Sequence, residues 1–167
     1  MDIGLLILRL LVGGLVFGHA MQKLVGAFGG LGADRTAPIF ESWGFVPGKP
    51  LVLLAAALEA IGSALLILGL GTPLGASIVL GVMTVAASVN VTNGLWAQKG
   101  GYEVAFTYGG IALALAFTGP GGLSLDRAVG FSDYNHALGG AAAVVVAAVA
   151  AAGFVGYART KARAAAI

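Results

Sequence analysis

Five apolar stretches, each about as long as a membrane-spanning helix, constrain this chain more than any other feature. They cover residues 3–25, 51–70, 74–96, 102–118 and 136–157. A helix needs about 20 residues to cross about 30 Å of hydrocarbon. The stretches lack the alternation of polar and apolar residues that membrane-spanning strands show. The sequence therefore predicts an all-α fold, a polytopic transmembrane helix bundle.

The composition agrees with a membrane protein and excludes several functions. Of the 167 residues, 59% are hydrophobic and 10% are charged, and the mean hydropathy is +0.97, well above that of ordinary soluble domains. Cysteine is absent, which excludes disulfides, thiolate nucleophiles and iron–sulfur ligation by this chain. The net charge of +2 is spread along the chain, so we expect no nucleic-acid binding.

The ends of the chain are expected to belong to the bundle. Only Met1 and Asp2 precede the first apolar stretch, and a basic leader with an Ala-x-Ala cleavage site is not evident, so we expect this stretch to remain as a helix. The last stretch is almost pure Ala and Val. It is therefore predicted to be a structural addition, a fifth C-terminal transmembrane helix beside a four-helix core.

The connections between the stretches are of two kinds. Residues 71–73 and 97–101 are short enough to force antiparallel hairpins. Residues 26–48 combine glycines with Phe40, Trp43 and Phe45, which predicts a short amphipathic segment at the membrane interface. Residues 119–135 open with Gly-Pro-Gly-Gly, which ends the fourth helix.

Lysine and arginine residues predict the orientation in the membrane, because cytoplasmic helix ends carry an excess of them. With the N-terminus outside, seven basic residues lie at the inner side and one, Arg127, at the outer side. The seven are Lys23, Arg35, Lys49, Lys99, Arg159, Lys161 and Arg163. We therefore expect a multi-pass protein of the inner (plasma) membrane with its C-terminus in the cytoplasm.

Ionisable residues within the stretches need partners, because an isolated charge in hydrocarbon is costly. Arg9 lies about 9 Å below the outer end of the first helix, and Glu59 roughly 16 Å below that of the second. An extended arginine side chain can reach across the difference of about 7 Å. We therefore predict an Arg9–Glu59 ion pair, which either serves function or only fastens the two helices.

A second group of polar side chains is predicted at the inner ends of the helices. The first helix contributes basic residues and a glutamine, the third contributes asparagines, and the fourth opens with a tyrosine and a glutamate. The candidate ligand-binding or proton-relay residues are Arg9, His19, Gln22, Lys23, Glu59, Asn90, Asn93, Tyr102 and Glu103. Such a pocket can hold a small polar headgroup or transfer protons. The alternative is a network of hydrogen bonds that caps helix ends.

The motifs of soluble enzymes are not found, and we predict no catalytic nucleophile and no metal site. Walker loops, nucleophile elbows and metalloprotease helices are absent from the sequence. The two histidines, His19 and His136, fall at opposite sides of the membrane in the predicted topology, so they cannot share a metal ion.

Four ordered segments carry a further pattern between residues 4 and 126. They read "LLILRLLVGGLVFGHAMQKL", "FESWGFVP", "AAALEAIGSALLILGLGTPLGA" and "GGYEVAF…LALAFTGPGGLSLD". This pattern resembles the DoxX family of small bacterial membrane proteins. The resemblance implies a four-helix domain over residues 1–126, to which residues 127–167 add an outer loop, the fifth transmembrane helix and a basic cytoplasmic tail. The repeated polar positions of the family correspond here to Arg9, His19, Lys23, Glu59 and Glu103.

The resemblance also implies a link to redox chemistry, in a bacterial cell membrane. Relatives in the family include a subunit of a thiosulfate:quinone oxidoreductase and proteins of oxidative-stress complexes. We therefore expect a membrane subunit of a quinone-linked or oxidative-stress system, with soluble redox enzymes as partners and a pocket for a quinone headgroup or another small molecule. The identity of the cofactor stays open, and a quinone is the candidate. In this interpretation His19 and Glu103 exchange protons, whereas Lys23 and Asn93 bind oxygen atoms.

Two other functions are left open by the sequence. The chain could be a non-enzymatic anchor or assembly factor that recruits soluble redox enzymes through its basic tail and residues 26–48. It could also be a small solute carrier, although it shows no clear repeat of broken helices. Whether it is itself an enzyme subunit, and whether it forms a homo-oligomer in the lipid bilayer, are likewise open.

Overall fold

The computed structural model describes residues 2–131 and 136–164, and its regular secondary structure is helical. In chain order the helices are α1 (Asp2–Val25), α2 (Gly32–Ser42), α3 (Gly48–Leu68), α4 (Thr72–Asn90), α5 (Glu103–Thr118), α6 (Leu125–Ala128) and α7 (His136–Ala164). Strands do not occur among these residues. The predicted all-α fold is confirmed, and each predicted apolar stretch forms a helix.

The lengths of the helices decide which of them can cross a membrane. In the described chain, α1, α3, α7 and α4 with its continuation to Asn93 are long and apolar enough to do so. Helix α5 has 16 residues and is therefore about 24 Å long. It is apolar like the others and shorter than a full span, and it packs inside the bundle against α4.

The helices form a four-helix core with one helix added. Helix α1 packs along α3, α3 along α4 and α4 along α5, and α5 returns to α1. Buried Val12, Leu66, Val79 and Leu115 meet at the centre of this ring. Helix α7 lies outside the ring, against α4 and α5. The predicted four-helix core with a fifth C-terminal helix is confirmed.

The bundle has two ends, which we name the Asp2 end and the Val25 end after the first and last residues of α1. Helices α3 and α5 begin at the Val25 end, whereas α4 and α7 begin at the Asp2 end. Helix α2 is the predicted short helix between the first two spans, and it packs on the beginning of α3. A side chain at Gly48 would collide with α2, so glycine permits this close contact.

Parts of the predicted C-terminal region lie outside the described residues. They are residues 132–135 of the predicted outer loop and residues 165–167 of the predicted basic tail, and Met1 is likewise not described. The division of the chain at residue 126 stays a prediction.

Candidate functional site

Arg9 of α1 fastens the Asp2 end of the bundle and is only 1% exposed. Its guanidinium donates hydrogen bonds of 2.6 to 2.9 Å to the backbone carbonyl oxygens of Leu66, Ile67, Pro120 and Leu123. The last turn of a helix leaves carbonyls without an intrahelical partner, and an arginine fork can satisfy several of them at once. Gly69 allows this approach, because a Cβ there would lie 2.7 Å from the Arg9 Cζ.

The predicted Arg9–Glu59 ion pair is wrong. The guanidinium binds carbonyl oxygens at the end of α3 instead of the Glu59 carboxylate. The prediction compared only the depths of the two side chains and did not include backbone acceptors. Asp126, 2% exposed, is the charged residue that interacts electrostatically with Arg9. Its carboxylate accepts hydrogen bonds from the Gly71 N–H at 2.8 Å and from the N–H and hydroxyl of Thr72 at 3.2 and 3.3 Å.

The second basic side chain of α1, that of Lys23, lies toward the Val25 end and is partly buried. The Nζ of Lys23 is 2.8 Å from both carboxylate oxygens of Glu59. The side chain of Glu59 is 3% exposed and that of Lys23 22%. His19, one turn before Lys23, interacts electrostatically with Glu59, and its ring lies 5.8 Å from the ring of Tyr108. The structure thus brings together three of the predicted site residues, and we call their charged members the Lys23–Glu59 pair.

A cavity of about 440 Å³ extends from the Lys23–Glu59 pair between α2, α3, α4 and α7. Asn90 and Thr36 add polar groups to its wall. Most of the wall is apolar and includes Trp43, Leu54, Leu58, Val82, Val85 and Phe154. Such a volume is typical of small-molecule sites, which combine apolar walls with few polar groups.

The other predicted site residues serve local structure in the described chain. Gln22 donates a long hydrogen bond of 3.4 Å to the Phe28 carbonyl. In the connection between α4 and α5, the Glu103 carboxylate accepts from the Ala97 N–H at 2.8 Å, and the Asn93 amide donates to the Gly100 carbonyl at 3.0 Å. The ring of Tyr102 lies edge-on to that of Phe106. The predicted shared pocket is therefore divided: Lys23, Glu59 and Asn90 line the cavity, and the others do not.

Helix α7 forms one wall of the cavity, which was not predicted from the sequence. Ala147, Ala150, Ala151 and Phe154 line it, spaced by three and four residues as one face of a helix requires. This spacing was visible in the sequence, but small apolar residues carry no chemical signal. Asp126 was also missed, although a lone carboxylate after a Gly-Pro-Gly-Gly turn is a sign of a structural cap.

The chemistry of the cavity follows from its polar end. An ammonium has three N–H donors, and a carboxylate can accept several hydrogen bonds. The two contacts within the Lys23–Glu59 pair therefore leave a donor on Lys23 and lone pairs on Glu59 for a molecule in the cavity. The site can bind a group that both accepts and donates hydrogen bonds, attached to an apolar body.

Comparison with known proteins relates the chain to a family. A family model described as DoxX matches residues 4–92, more than half of the chain. The matched part runs from α1 through α4 and contains Arg9, Lys23 and Glu59, whereas α5 and α7 lie beyond it. No curated protein and no solved structure shows a significant match to the chain.

Proposed function

Because the chain belongs to the DoxX family of membrane proteins, we propose that it is the membrane subunit of a redox system and holds a quinone headgroup at the Lys23–Glu59 pair. The observation that carries this proposal is an ion pair with a buried carboxylate in the wall of an apolar cavity. Buried ion pairs add little stability, since apolar residues of similar volume often serve as well or better. A pair that also faces a cavity therefore favours a binding role.

The two redox states of a quinone fit the two members of the pair. The carbonyl oxygens of a quinone accept hydrogen bonds, which the Lys23 ammonium donates. The hydroxyls of a quinol donate them, and the Glu59 carboxylate accepts. The Asn90 amide carries both a donor and an acceptor. In this role a soluble partner supplies the electrons. His19, beside the pair, exchanges protons with the bound quinone.

Analysis of the quinones retained by the purified protein tests the proposal. Protein purified in mild detergent in the presence of added quinone is extracted with solvent, and the quinone per folded chain is measured by mass spectrometry. The test variant is Lys23→Met/Glu59→Leu, which removes the pair without leaving an unpaired charge. The matched control is Lys49→Met/Asp34→Leu, which removes the exposed ion pair between those residues, 2.7 Å apart.

Wild type and control are expected to retain quinone, and the Lys23→Met/Glu59→Leu variant is expected to lose it. Equal retention by the two double variants would contradict the binding site. A wild-type protein that retains none, with quinone present throughout, would contradict the function.

A second candidate, an anchor or assembly factor for soluble redox enzymes, is favoured by the end of α7. Arg159, Lys161 and Arg163 are exposed there, and the Lys161 ammonium lies 5.7 Å from the centre of the Tyr157 ring. In that case the cellular function survives in the folded Lys23→Met/Glu59→Leu variant and is lost when the three basic residues are replaced by glutamine. A quinone-binding subunit gives the opposite result for the double variant.

The orientation in the cell membrane belongs to the same proposal, with the Val25 end in the cytoplasm. Since the chain has no cysteine, single cysteines can be introduced and labelled with a membrane-impermeant thiol reagent on whole cells. Arg127→Cys is expected to react and Lys161→Cys to react only after the cells are opened. The reverse pattern would contradict the orientation.

A further inference from the structure

A crevice on the side of the bundle adjoins the cavity. Helices α3 and α7 both pack along α4 but make few contacts with each other. The space between them, about 370 Å³, is lined by Leu51, Val149, Ala150, Gly153, Phe154 and Tyr157. Leu51, Ala150 and Phe154 also line the cavity at the Lys23–Glu59 pair. The cavity therefore adjoins a crevice on the flank of the bundle, where bilayer lipids surround a membrane protein.

Contacts at the Val25 end close the crevice toward water. The Tyr157 hydroxyl of α7 donates a hydrogen bond to the carbonyl of Val46, in the connection between α2 and α3. Gly44 in the same connection lies against Ala158 of α7 so closely that a Cβ would collide with the backbone. The opening thus faces sideways, and its apolar lining suits hydrocarbon.

We propose that the molecule bound at the Lys23–Glu59 pair is an amphiphile with a long hydrocarbon tail, a tailed quinone, which enters from the bilayer through the α3–α7 crevice and leaves its tail there. This inference rests on the proposed function and specifies its ligand class. A cavity of about 440 Å³ accommodates a headgroup and a short part of a tail, so the remainder of a long tail must pass outward. The crevice provides that passage, whereas a tail-free headgroup does not need it.

Two exposed glycines of α7 provide a matched test. A Cβ at Gly153 or at Gly156 would meet nothing within 4 Å, so neither glycine is required for packing. Gly153 lines the crevice and Gly156 does not. Gly153→Leu therefore places a side chain where the tail would pass, and Gly156→Leu makes the same change one turn away on the open surface.

A tryptophan at the site reports binding. The chain has two tryptophans, of which Trp43 lines the cavity and Trp96 lies in the α4–α5 connection. In a Trp96→Phe background in lipid nanodiscs, quenching of Trp43 fluorescence is titrated with a benzoquinone that carries a decyl tail and with the same headgroup without a tail. Each variant is compared with wild type for the same quinone, so that partition of the quinone into lipid cancels.

Gly153→Leu is expected to weaken binding of the tailed quinone by roughly tenfold, the penalty of forcing extra methylenes into occupied space, and to leave the tail-free headgroup within about twofold. Gly156→Leu should change neither. Gly153→Leu could also weaken the binding of both quinones equally, or leave the binding of the tailed quinone unchanged. Either result would overturn the passage of the tail through the crevice but not quinone binding itself. Absence of saturable quenching by either quinone in the wild type would overturn the proposed function itself.

Discussion

Helix α1 carries two basic residues, Arg9, which is buried, and Lys23, which is partly buried, and the two ends of the bundle use them differently. At the Asp2 end, Arg9 is 1% exposed and is hydrogen-bonded to four carbonyl oxygens. At the Val25 end, Lys23 is paired with Glu59, and both line a cavity. Four of the five N–H donors of Arg9 bind the backbone of two neighbouring segments, and Arg9 does not line the cavity. Lys23 lines the cavity and keeps one of its three donors for a molecule there.

We infer from this difference that the partner and the surroundings of a charged side chain decide its role, not its depth. The Arg9 guanidinium, held by backbone carbonyls, fixes the end of α3 and residues 119–124 and does not line the cavity. An ion pair at the edge of a cavity can exchange one of its hydrogen bonds for a ligand. We therefore assign Arg9 to the fold and Lys23 to the site, and the following changes test this assignment.

The largest effect is expected from Arg9→Met. The change leaves four carbonyl oxygens at the Asp2 end without their donor, so the free energy of unfolding should fall by about 3 to 5 kcal/mol. Thermal denaturation in detergent and the yield of folded protein measure this. Arg35→Met, at an exposed position of α2, is the control and should have little effect. An Arg9→Met variant as stable as wild type would contradict the assignment of Arg9 to the fold.

Lys23→Met alone should destabilise next most strongly, by about 3 kcal/mol, because it leaves the 3% exposed Glu59 carboxylate without its partner. Adding Glu59→Leu should recover most of the loss, since no charge then remains buried. Denaturation of both single variants and the double variant gives the coupling energy of the pair. A double variant no more stable than Lys23→Met would contradict the energetic coupling of Lys23 and Glu59.

Asp126→Asn is expected to have a smaller effect, at the Arg9 end. The amide replaces an oxygen that accepts hydrogen bonds from Gly71 and Thr72 with a donor, which should cost about 1 to 2 kcal/mol. Quinone content per folded chain should not change. Loss of quinone in this variant would show that the two ends are coupled and would contradict their separation. Asp34→Asn, an exposed position, is the control.

The smallest effect is expected from Tyr157→Phe at the Val25 end. It removes the one hydrogen bond to the Val46 carbonyl, and the midpoint of thermal denaturation should fall by about 1 to 2 °C. Differential scanning fluorimetry, which resolves such a shift, provides the measurement. A fall as large as that of Arg9→Met would mean that the contact between α7 and the α2–α3 connection holds the bundle together.

The helices were predictable because their signal is physical and local. Apolar length predicted the ends of α1, α3 and α5 within three residues, and Gly-Pro-Gly-Gly predicted the end of α5. Helix α4 ends at Asn90 instead of residue 96, and α7 continues to Ala164 instead of ending at residue 157. The depth of Arg9 was also predictable, but its partners were not. Backbone carbonyls are present at every residue, so a sequence does not show which of them a guanidinium will reach.

The site could be predicted only in part, for a related reason. Lys23, Glu59 and Asn90 were found because polar groups in an apolar chain are conspicuous. Glu103 was assigned to the same pocket because it lies at the same level, yet its carboxylate instead binds the nearby Ala97 N–H. A common depth therefore does not establish a common site, since a short connection offers backbone donors that are closer.

Binding of a quinone headgroup, followed by the fluorescence of Trp43 in the Trp96→Phe background, tests the central claim most directly. The titration compares the double variant Lys23→Met/Glu59→Leu, toward the Val25 end of the bundle, with Asp126→Asn at the Asp2 end. Our account predicts binding at least about tenfold weaker in the first, through loss of hydrogen bonds from charged groups, and unchanged binding in the second. Equal affinity in both folded variants would contradict the assignment of the Lys23–Glu59 pair as the binding site.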